Sequence, residues 1–248
     1  MKELDVAVEA AREAGAIIRS LYGQGIAVVE KHDRADSPLT AADTRANEAL
    51  HRAIGSAFPD DGWLSEESRD SAERLSKRRV WIVDPLDGTK EFVREVPELA
   101  VCVGLVEDGV PIVGVTYNPI TDELFAAAKG DAATLNGVPI RVTPERELVR
   151  ATILASRSEN ERGEWAKYQG RFTVELCGSV AYKLALIAAG RADATFTLTP
   201  KSEWDVCSSA CIIECAGGRF WHERTPNRKG YRLLASNGLI HKKLPLPK

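Results

Sequence analysis

Nothing in this 248-residue chain approaches a run of about 18 apolar residues, so no membrane-spanning helix is expected. An excess of one charge is also lacking. Lys and Arg number 33 against 36 Asp and Glu, a formal net charge of −3. That balance excludes a strongly basic nucleic-acid binder and an acidic tail. Five cysteines, an odd number without tandem Cys-x-x-Cys spacing, imply free thiols in a reducing cytoplasm. Only four histidines occur, at 32, 51, 222 and 241. None has ligand or triad spacing, and all four are expected at the surface. No internal repeat or low-complexity stretch is visible. The opening MKELDVAVEAAREAG carries acids among its apolar positions, unlike a signal or transit peptide, so the expected location is cytoplasmic.

What is present is an ordinary globular composition, 44% apolar and 28% charged, long enough to bury a sizeable core. Leu4, Val8, Ala11, Gly15, Ile18 and Tyr22 recur at alternating intervals of four and three, which predicts an amphipathic first helix. Ile26 to Glu30 predicts a short strand, and Thr40 to Phe58 a second helix. Strands follow at 80–83, 99–106, 110–117 and 124–128, with short turns at Asp108-Gly109, Asn118-Pro119 and Asn136-Gly137 that favour antiparallel pairing. From about residue 146 strands and helices alternate, including helices predicted at 159–168, 179–189 and 206–216. The expected class is therefore α+β with an α/β second half. Residues 1–145 form an antiparallel half, and residues 146–248 an α/β half packed rigidly against it.

The segment Trp81-Ile82-Val83-Asp84-Pro85-Leu86-Asp87-Gly88-Thr89-Lys90 carries the most chemistry. An apolar strand delivers two carboxylates to its end, and Asp87-Gly88-Thr89 turns into a helix start whose N–H groups can bind an anion. Carboxylates beside an anion site repel a phosphate unless cations intervene. Hard oxygen ligands suit Mg²⁺. A strand-end turn with Asp87 as helix cap is an equally weighted reading of this segment alone. Three further carboxylate sites have similar double readings. Ser65-Glu66-Glu67, taken alone, reads better as a solvated acidic loop. Both Ser202-Glu203-Trp204-Asp205 and Thr40-Ala41-Ala42-Asp43 fit a helix capping pattern.

Together, Ser-Glu-Glu, then Asp-Pro-Leu-Asp-Gly-Thr beginning eighteen residues after Glu66, then Trp204-Asp205, resemble the inositol monophosphatase superfamily. The likeness extends to Asn136-Gly137, Gly178-Ser179 and Ala216-Gly217-Gly218. The resemblance implies a Mg²⁺-dependent phosphomonoesterase, often lithium-inhibited, with alternating αβαβα layers. It implies Glu66, Asp84, Asp87, Asp205 and the Leu86 carbonyl as ligands of two or three Mg²⁺ ions. It implies Asp43 and Thr89 as the catalytic pair that positions and deprotonates the attacking water. Asp87, Gly88, Thr89, Lys90, Ser179 and Lys201 are the implied substrate-binding residues. The partner is a small phosphorylated substrate, not a nucleic-acid polymer or a membrane, and a homodimer is allowed for.

Within that superfamily, inositol phosphatases carry a glutamate seven residues before the Trp-Asp aspartate to hold inositol hydroxyls. Here that position is Leu198. The text Ser37-Pro38-Leu39-Thr40-Ala41-Ala42-Asp43 and Asp84 to Phe92 looks most like bacterial 3′(2′),5′-bisphosphate nucleotidases of the CysQ type. The preferred expectation is hydrolysis of adenosine 3′,5′-bisphosphate, with Lys90 and Lys201 near the distal phosphate. Inositol, sugar or histidinol phosphates are the alternative substrates, and a silent nucleotide- or Mg²⁺-sensing protein is the alternative of a different class. Cys207, Cys211 and Cys215 share one helical stripe, which reads as core packing rather than a soft-metal site. Oxidation of Cys177 is expected to matter only if its thiol lies at the mouth of the site.

Overall fold

Two sheets, with helices outside and between them, make the layers of the computed structural model, which describes residues 1–30, 38–225 and 230–245. Helix α1 (Lys2–Leu21) is followed by a ribbon of β1 (Val28–Glu30) and β2 (Pro38–Thr40), then by α2 (Ala41–Ala57). His32 and Ser37 lie outside the described residues. A seven-stranded sheet comes next, in spatial order β3 (Gly62–Ser65), β4 (Arg79–Asp87), β5 (Ala100–Glu107), β6 (Val110–Asn118), β7 (Glu123–Ala128), β8 (Thr134–Leu135) and β9 (Val138–Pro139). The short helix α3 (Thr89–Val93) interrupts the chain after β4. Only the β3–β4 pair is parallel among these. The β5–β6 and β8–β9 hairpins close on Asp108-Gly109 and Asn136-Gly137, all four residues at positive φ, as two-residue hairpins of matching twist require.

The second sheet contains β10 (Thr152–Ser156), β11 (Thr173–Cys177), β12 (Ala194–Phe196), β13 (Arg219–Arg224) and β14 (Tyr231–Ser236), ordered β11-β10-β12-β14-β13. Its first three strands are parallel, and β14 and β13 add antiparallel. Helices α4 (Arg157–Glu161), α5 (Val180–Ala188) and α6 (Cys207–Cys215) belong to this half.

Alternation of side chains along each strand assigns the layers. On β5, Val101, Val103 and Leu105 face α1 and α2, whereas Ala100 and Cys102 face α5 and α6. Small residues bring α6 close to the sheet: a Cβ on Gly104 would lie 2.5 Å from Cys207 Sγ, and one on Gly114 2.0 Å from the Ser208 carbonyl. Forcing a methyl in here costs about 1–3 kcal/mol even where the helix can shift. The far face of the second sheet packs Ile153, Ala155 and Phe196 against Trp165, Tyr168, Phe172 and Ile240. The expected alternation of helical and sheet layers is thus present, its outermost layer being α4 and short 3₁₀ turns.

Two expectations are corrected, and the condition set for Cys177 is not met. The helix predicted over 159–168 stops at Glu161, because Gly163 takes a left-handed φ of +74° and the chain continues as turns to a 3₁₀ segment at Ala166–Tyr168. His241 is buried, its Nδ1 sharing a hydrogen bond with Ser236 Oγ at 2.9 Å, so not every histidine is a surface residue. Cys177 is buried rather than at a mouth, and burial pushes its thiol up to about 12, which leaves little thiolate to oxidise. The Cys207, Cys211 and Cys215 stripe packs against the seven-stranded sheet, with Cys207 and Cys211 buried.

Candidate active site

Residues three apart on a regular strand point to opposite faces. Asp84 and Asp87 nevertheless converge, because the β4–β5 register slips between them: Asp84 pairs with Cys102 and Asp87 with Ala100. The extra residue is a bulge at Pro85-Leu86, where proline has no N–H to give the ladder. Gly88 then turns at φ 103° and starts α3; a Cβ there would meet the Glu98 carbonyl at 2.9 Å. Gly88 is therefore the cap of α3, and the reading of Asp87 as that cap is corrected. Asp87 Oδ2 instead accepts from Ser179 Oγ and the Ala181 N–H, both at 2.7 Å, at the start of α5. Ser179 sits at φ 33°, unusual for serine, and its Oγ also accepts the Tyr182 N–H at 3.0 Å.

Asp43 caps a helix and also touches Thr89. Its Oδ2 accepts from the Thr40 N–H at 2.7 Å and Thr40 Oγ1 at 2.6 Å, completing the capping box of α2. Its Oδ1 accepts from Thr89 Oγ1 at 2.9 Å, and the same hydroxyl lies 3.1 Å from the Leu86 carbonyl. Asp205 stands before α6, its Oδ2 accepting the Ser202 N–H at 2.6 Å.

One oxygen each of Asp84, Asp87 and Asp205 lies within 4.8 Å of the others. Glu66 is outside that tight group but lines the same cavity of about 350 Å³, as do Leu86, Gly88, Thr89, Lys90, Ser179 and Lys201. Asp43 lies behind Thr89, buried. Burial, reinforced by the charges of Glu66, Asp87 and Asp205, drives the Asp84 carboxyl well above its usual range. Burial raises Asp87 against the opposing hydrogen bonds from Ser179 and Ala181. Asp205 rises to about 7, mainly through burial and the nearby Asp87 charge. Asp84 Oδ2 is buried with no hydrogen-bond partner among the described residues. Crowded carboxylates and an orphaned buried oxygen are the donor set of a hard divalent cation, so these residues fit Mg²⁺.

The cavity lining also carries positive charge, at Lys90, Arg162, Lys183 and Lys201. Lys183 on α5 is 2% exposed, and burial, helped by Lys201, pulls its ammonium below the usual lysine value. Arg162, Ser156, Ser158 and Thr199 line the same cavity. The signal for Lys183 was available: it is the lone charge in the apolar stretch Val180 to Ala188. Arg162 and Glu159 had no such signal, because they fell inside a helix predicted too long.

Known proteins match this arrangement over nearly its whole length. The family model described as "Inositol monophosphatase family" matches residues 1–244. The chain belongs to the inositol monophosphatase family. It is 37% identical over 227 residues to an inositol monophosphatase 3 of Solanum lycopersicum, covering 87% of this chain and 84% of that protein. The extragenic suppressor protein suhB of Bartonella henselae superposes with a TM-score of 0.86 at 31% identity, covering 98% of this chain and 96% of the other. CysQ of Bacteroides thetaiotaomicron, a bacterial member of the family, superposes with a TM-score of 0.75 at 28% identity, covering 95% and 97%. As a phosphatase of this Mg²⁺-dependent family, the chain is a phosphoric monoester hydrolase acting on small phosphorylated substrates. Among the described residues, no helix is long and apolar enough to cross a membrane.

The raised carboxyls give a pH prediction for the metal-free protein. An acid whose folded pKa exceeds its unfolded value stabilises the fold at low pH. For Asp205 that contribution is lost as pH rises from about 3.8 through about 7. Mg²⁺ binds the ionised carboxylates and reverses the loss. The rise in Tm on adding Mg²⁺ is therefore expected to be small at pH 5 and to reach about 5–10 °C at pH 8, with the ion at about a hundred times its Kd. Paired melts with Mg²⁺ and with EDTA at each pH measure the difference. An equal rise at both pH values contradicts the assignment.

Proposed function

We propose that this family phosphatase hydrolyses adenosine 3′,5′-bisphosphate to AMP and phosphate, with Glu66, Asp84, Asp87, Asp205 and the Leu86 carbonyl holding two or three Mg²⁺ ions. The observation that carries the reading is one cavity lined both by the carboxylate cluster and by Lys183, Lys201 and Arg162, with the Lys201 and Lys183 charges close enough to Asp87 to favour its ionised form. Bound Mg²⁺ supplies Lewis-acid stabilisation of the phosphoryl oxygens and lowers the pKa of the attacking water. The Thr89 hydroxyl already donates to Asp43, so its lone pairs are turned outward to receive a proton. As water attacks phosphorus, its proton passes to Thr89 Oγ1 and the threonine proton passes to Asp43 Oδ1. The ester P–O bond opposite the incoming oxygen then breaks, its electron pair leaving on the 3′-oxygen, which takes a proton from solvent water to give AMP, and Asp43 returns its proton to solvent. The first N–H groups of α3, at Gly88 and Thr89, hold the phosphate.

Leu198 packs against the aromatic cluster of the second sheet and does not line the cavity, so this position offers no carboxylate to a polyol. A bisphosphate carries a second dianion, which Lys201, Lys90 and the buried Lys183 can receive as cations. A second reading, an inositol or other sugar phosphate, is favoured by the names of the relatives that match this chain. Comparing kcat/KM for adenosine 3′,5′-bisphosphate, inositol 1-phosphate, histidinol phosphate and fructose 1,6-bisphosphate decides between them. A preference for inositol 1-phosphate sinks the nucleotidase reading and leaves the phosphatase intact.

Lys201→Ala is expected to lower kcat/KM for adenosine 3′,5′-bisphosphate by about ten- to hundredfold relative to adenosine 3′-monophosphate, the range of a charge-assisted contact. Both esters react at the 3′ position, so general damage to the cluster cancels. Equal losses on both mean that Lys201 acts through overall field or structure.

A further inference from the structure

A single buried carboxylate ties together part of the cavity lining around Thr199 and Arg162. Glu159, at the inner face of α4, is 2% exposed. Its Oε1 accepts from the backbone N–H groups of Leu198 at 3.0 Å and Thr199 at 2.9 Å. Its Oε2 accepts from the indole Nε1 of Trp165 at 3.0 Å, and that ring is packed against Tyr168 and Phe196. An ionised carboxylate offers about four lone-pair directions, and three are occupied here. A carboxylate therefore does stand beside position 198, where Leu198 itself supplies none; it lines the cavity, but its oxygens are taken up by two backbone N–H groups and the Trp165 indole.

The tethered strip shapes the cavity. The Thr199 hydroxyl accepts from Arg162 Nη2 at 3.2 Å, and both residues line it. Two residues on, a separate fixture begins. Lys201 exchanges backbone hydrogen bonds with Tyr231 at 2.8 and 2.7 Å, and Asp205 is fastened to the Ser202 N–H. The metal-binding carboxylate at 205 is thus anchored independently of Glu159, while the strip at 198–199 is not.

We propose that Glu159 is a positioning residue for substrate selection, holding Leu198–Thr199 and through it the Arg162 side of the cavity in the shape that receives the part of the substrate remote from the reacting phosphate. The inference rests on reading this cavity as the active site, as above, and assigns the selectivity of that site to a residue whose side chain is occupied by backbone donors.

Glu159→Gln tests it. With the glutamine oxygen on Leu198 and Thr199, its NH₂ meets the Trp165 donor; with the oxygen on the indole, its NH₂ meets two N–H groups. Either orientation sets donor against donor. Amide exchange at Leu198 and Thr199 in the substrate-free protein is expected to quicken at least about tenfold. KM for the best ester is expected to rise about tenfold, with kcat changed by less than about threefold. Trp165→Phe separates positioning from stability. It leaves a cavity in the aromatic cluster and lowers Tm, yet keeps the two backbone bonds, so exchange at 198–199 and KM stay near the parent values. The proposal is overturned if Glu159→Gln leaves those two amides protected, if its loss falls on kcat with KM unchanged, or if Trp165→Phe raises KM as much. A variant that fails to fold leaves the Trp165→Phe arm, in which a raised KM is still decisive against the proposal. Parent preference for inositol 1-phosphate over the bisphosphate would defeat the nucleotidase reading alone, because exchange and the KM–kcat split are read on whichever ester is best.

Discussion

Asp87→Asn is expected to lower turnover by at least about a hundredfold, the scale of losing one major electrostatic contribution, without unfolding the protein. Asp87 Oδ2 accepts from Ser179 Oγ and the Ala181 N–H, and an asparagine oxygen can accept both. What asparagine lacks is charge. Asp87 stands within a group of three carboxylates that burial has already made costly to ionise, so removing one charge relieves repulsion in the metal-free protein. Without Mg²⁺ the variant should therefore melt at or slightly above the parent temperature. With Mg²⁺ it should gain less in Tm than the parent, because the ion has lost an anionic ligand. Phosphate release at saturating Mg²⁺ together with paired melts measures both halves. Activity near the parent level removes Asp87 from the site, and collapse of the metal-free melt shows that the α5 contact needs the charge.

Thr89→Ala should reduce kcat by about a hundredfold or more while shifting the Mg²⁺ concentration for half-activation little. Its backbone N–H remains to bind phosphate, and only the hydroxyl that donates to Asp43 is lost. For the partner, Asp43→Asn is the cleaner change than alanine. Alanine also deletes the capping box on α2, about 0.5–2 kcal/mol of stability, whereas asparagine can still accept the Thr40 N–H. The double variant is expected to be scarcely worse than the worse single one, since groups acting as one relay fail together. Multiplicative losses would show two independent contributions, and a large shift in Mg²⁺ half-activation would place Thr89 in metal binding instead.

The residues of the cluster could be found in the sequence because each sits in a short contiguous signature: a strand end, a capping pattern, a Trp-Asp pair. What brings Asp84 and Asp87 to one face could not, since a bulge is visible only in the pairing of β4 with β5. The capping reading of Asp43 is compatible with its contact to Thr89, because one carboxylate has enough oxygen lone pairs for both, whereas α6 starts from Val206 with no side-chain cap, so Asp205 does not cap that helix. The stretch 159–168 was misread for a local reason. Its composition suits a helix, but Gly163 adopts a left-handed turn and Glu159 faces inward, toward backbone donors forty residues away in the chain. Lys183 is legible only in part: a lone charge in the apolar stretch 180–188 marks it as unusual, but packing is needed to place its ammonium at the cavity.

The double duty of Asp87 divides the cavity into parts with unequal freedom to change. One oxygen of that aspartate fastens the start of α5, so the side chains α5 offers to the cavity, Lys183 among them, ride on a helix pinned to the carboxylate cluster proposed to hold the metal. Sequence drift there perturbs turnover and recognition at once. The strip at 198–199 hangs from a different carboxylate and can vary while the chemistry is kept. A lineage descending from this scaffold can therefore acquire new esters by altering that strip, and a laboratory library aimed at changed selectivity belongs there instead of on α5.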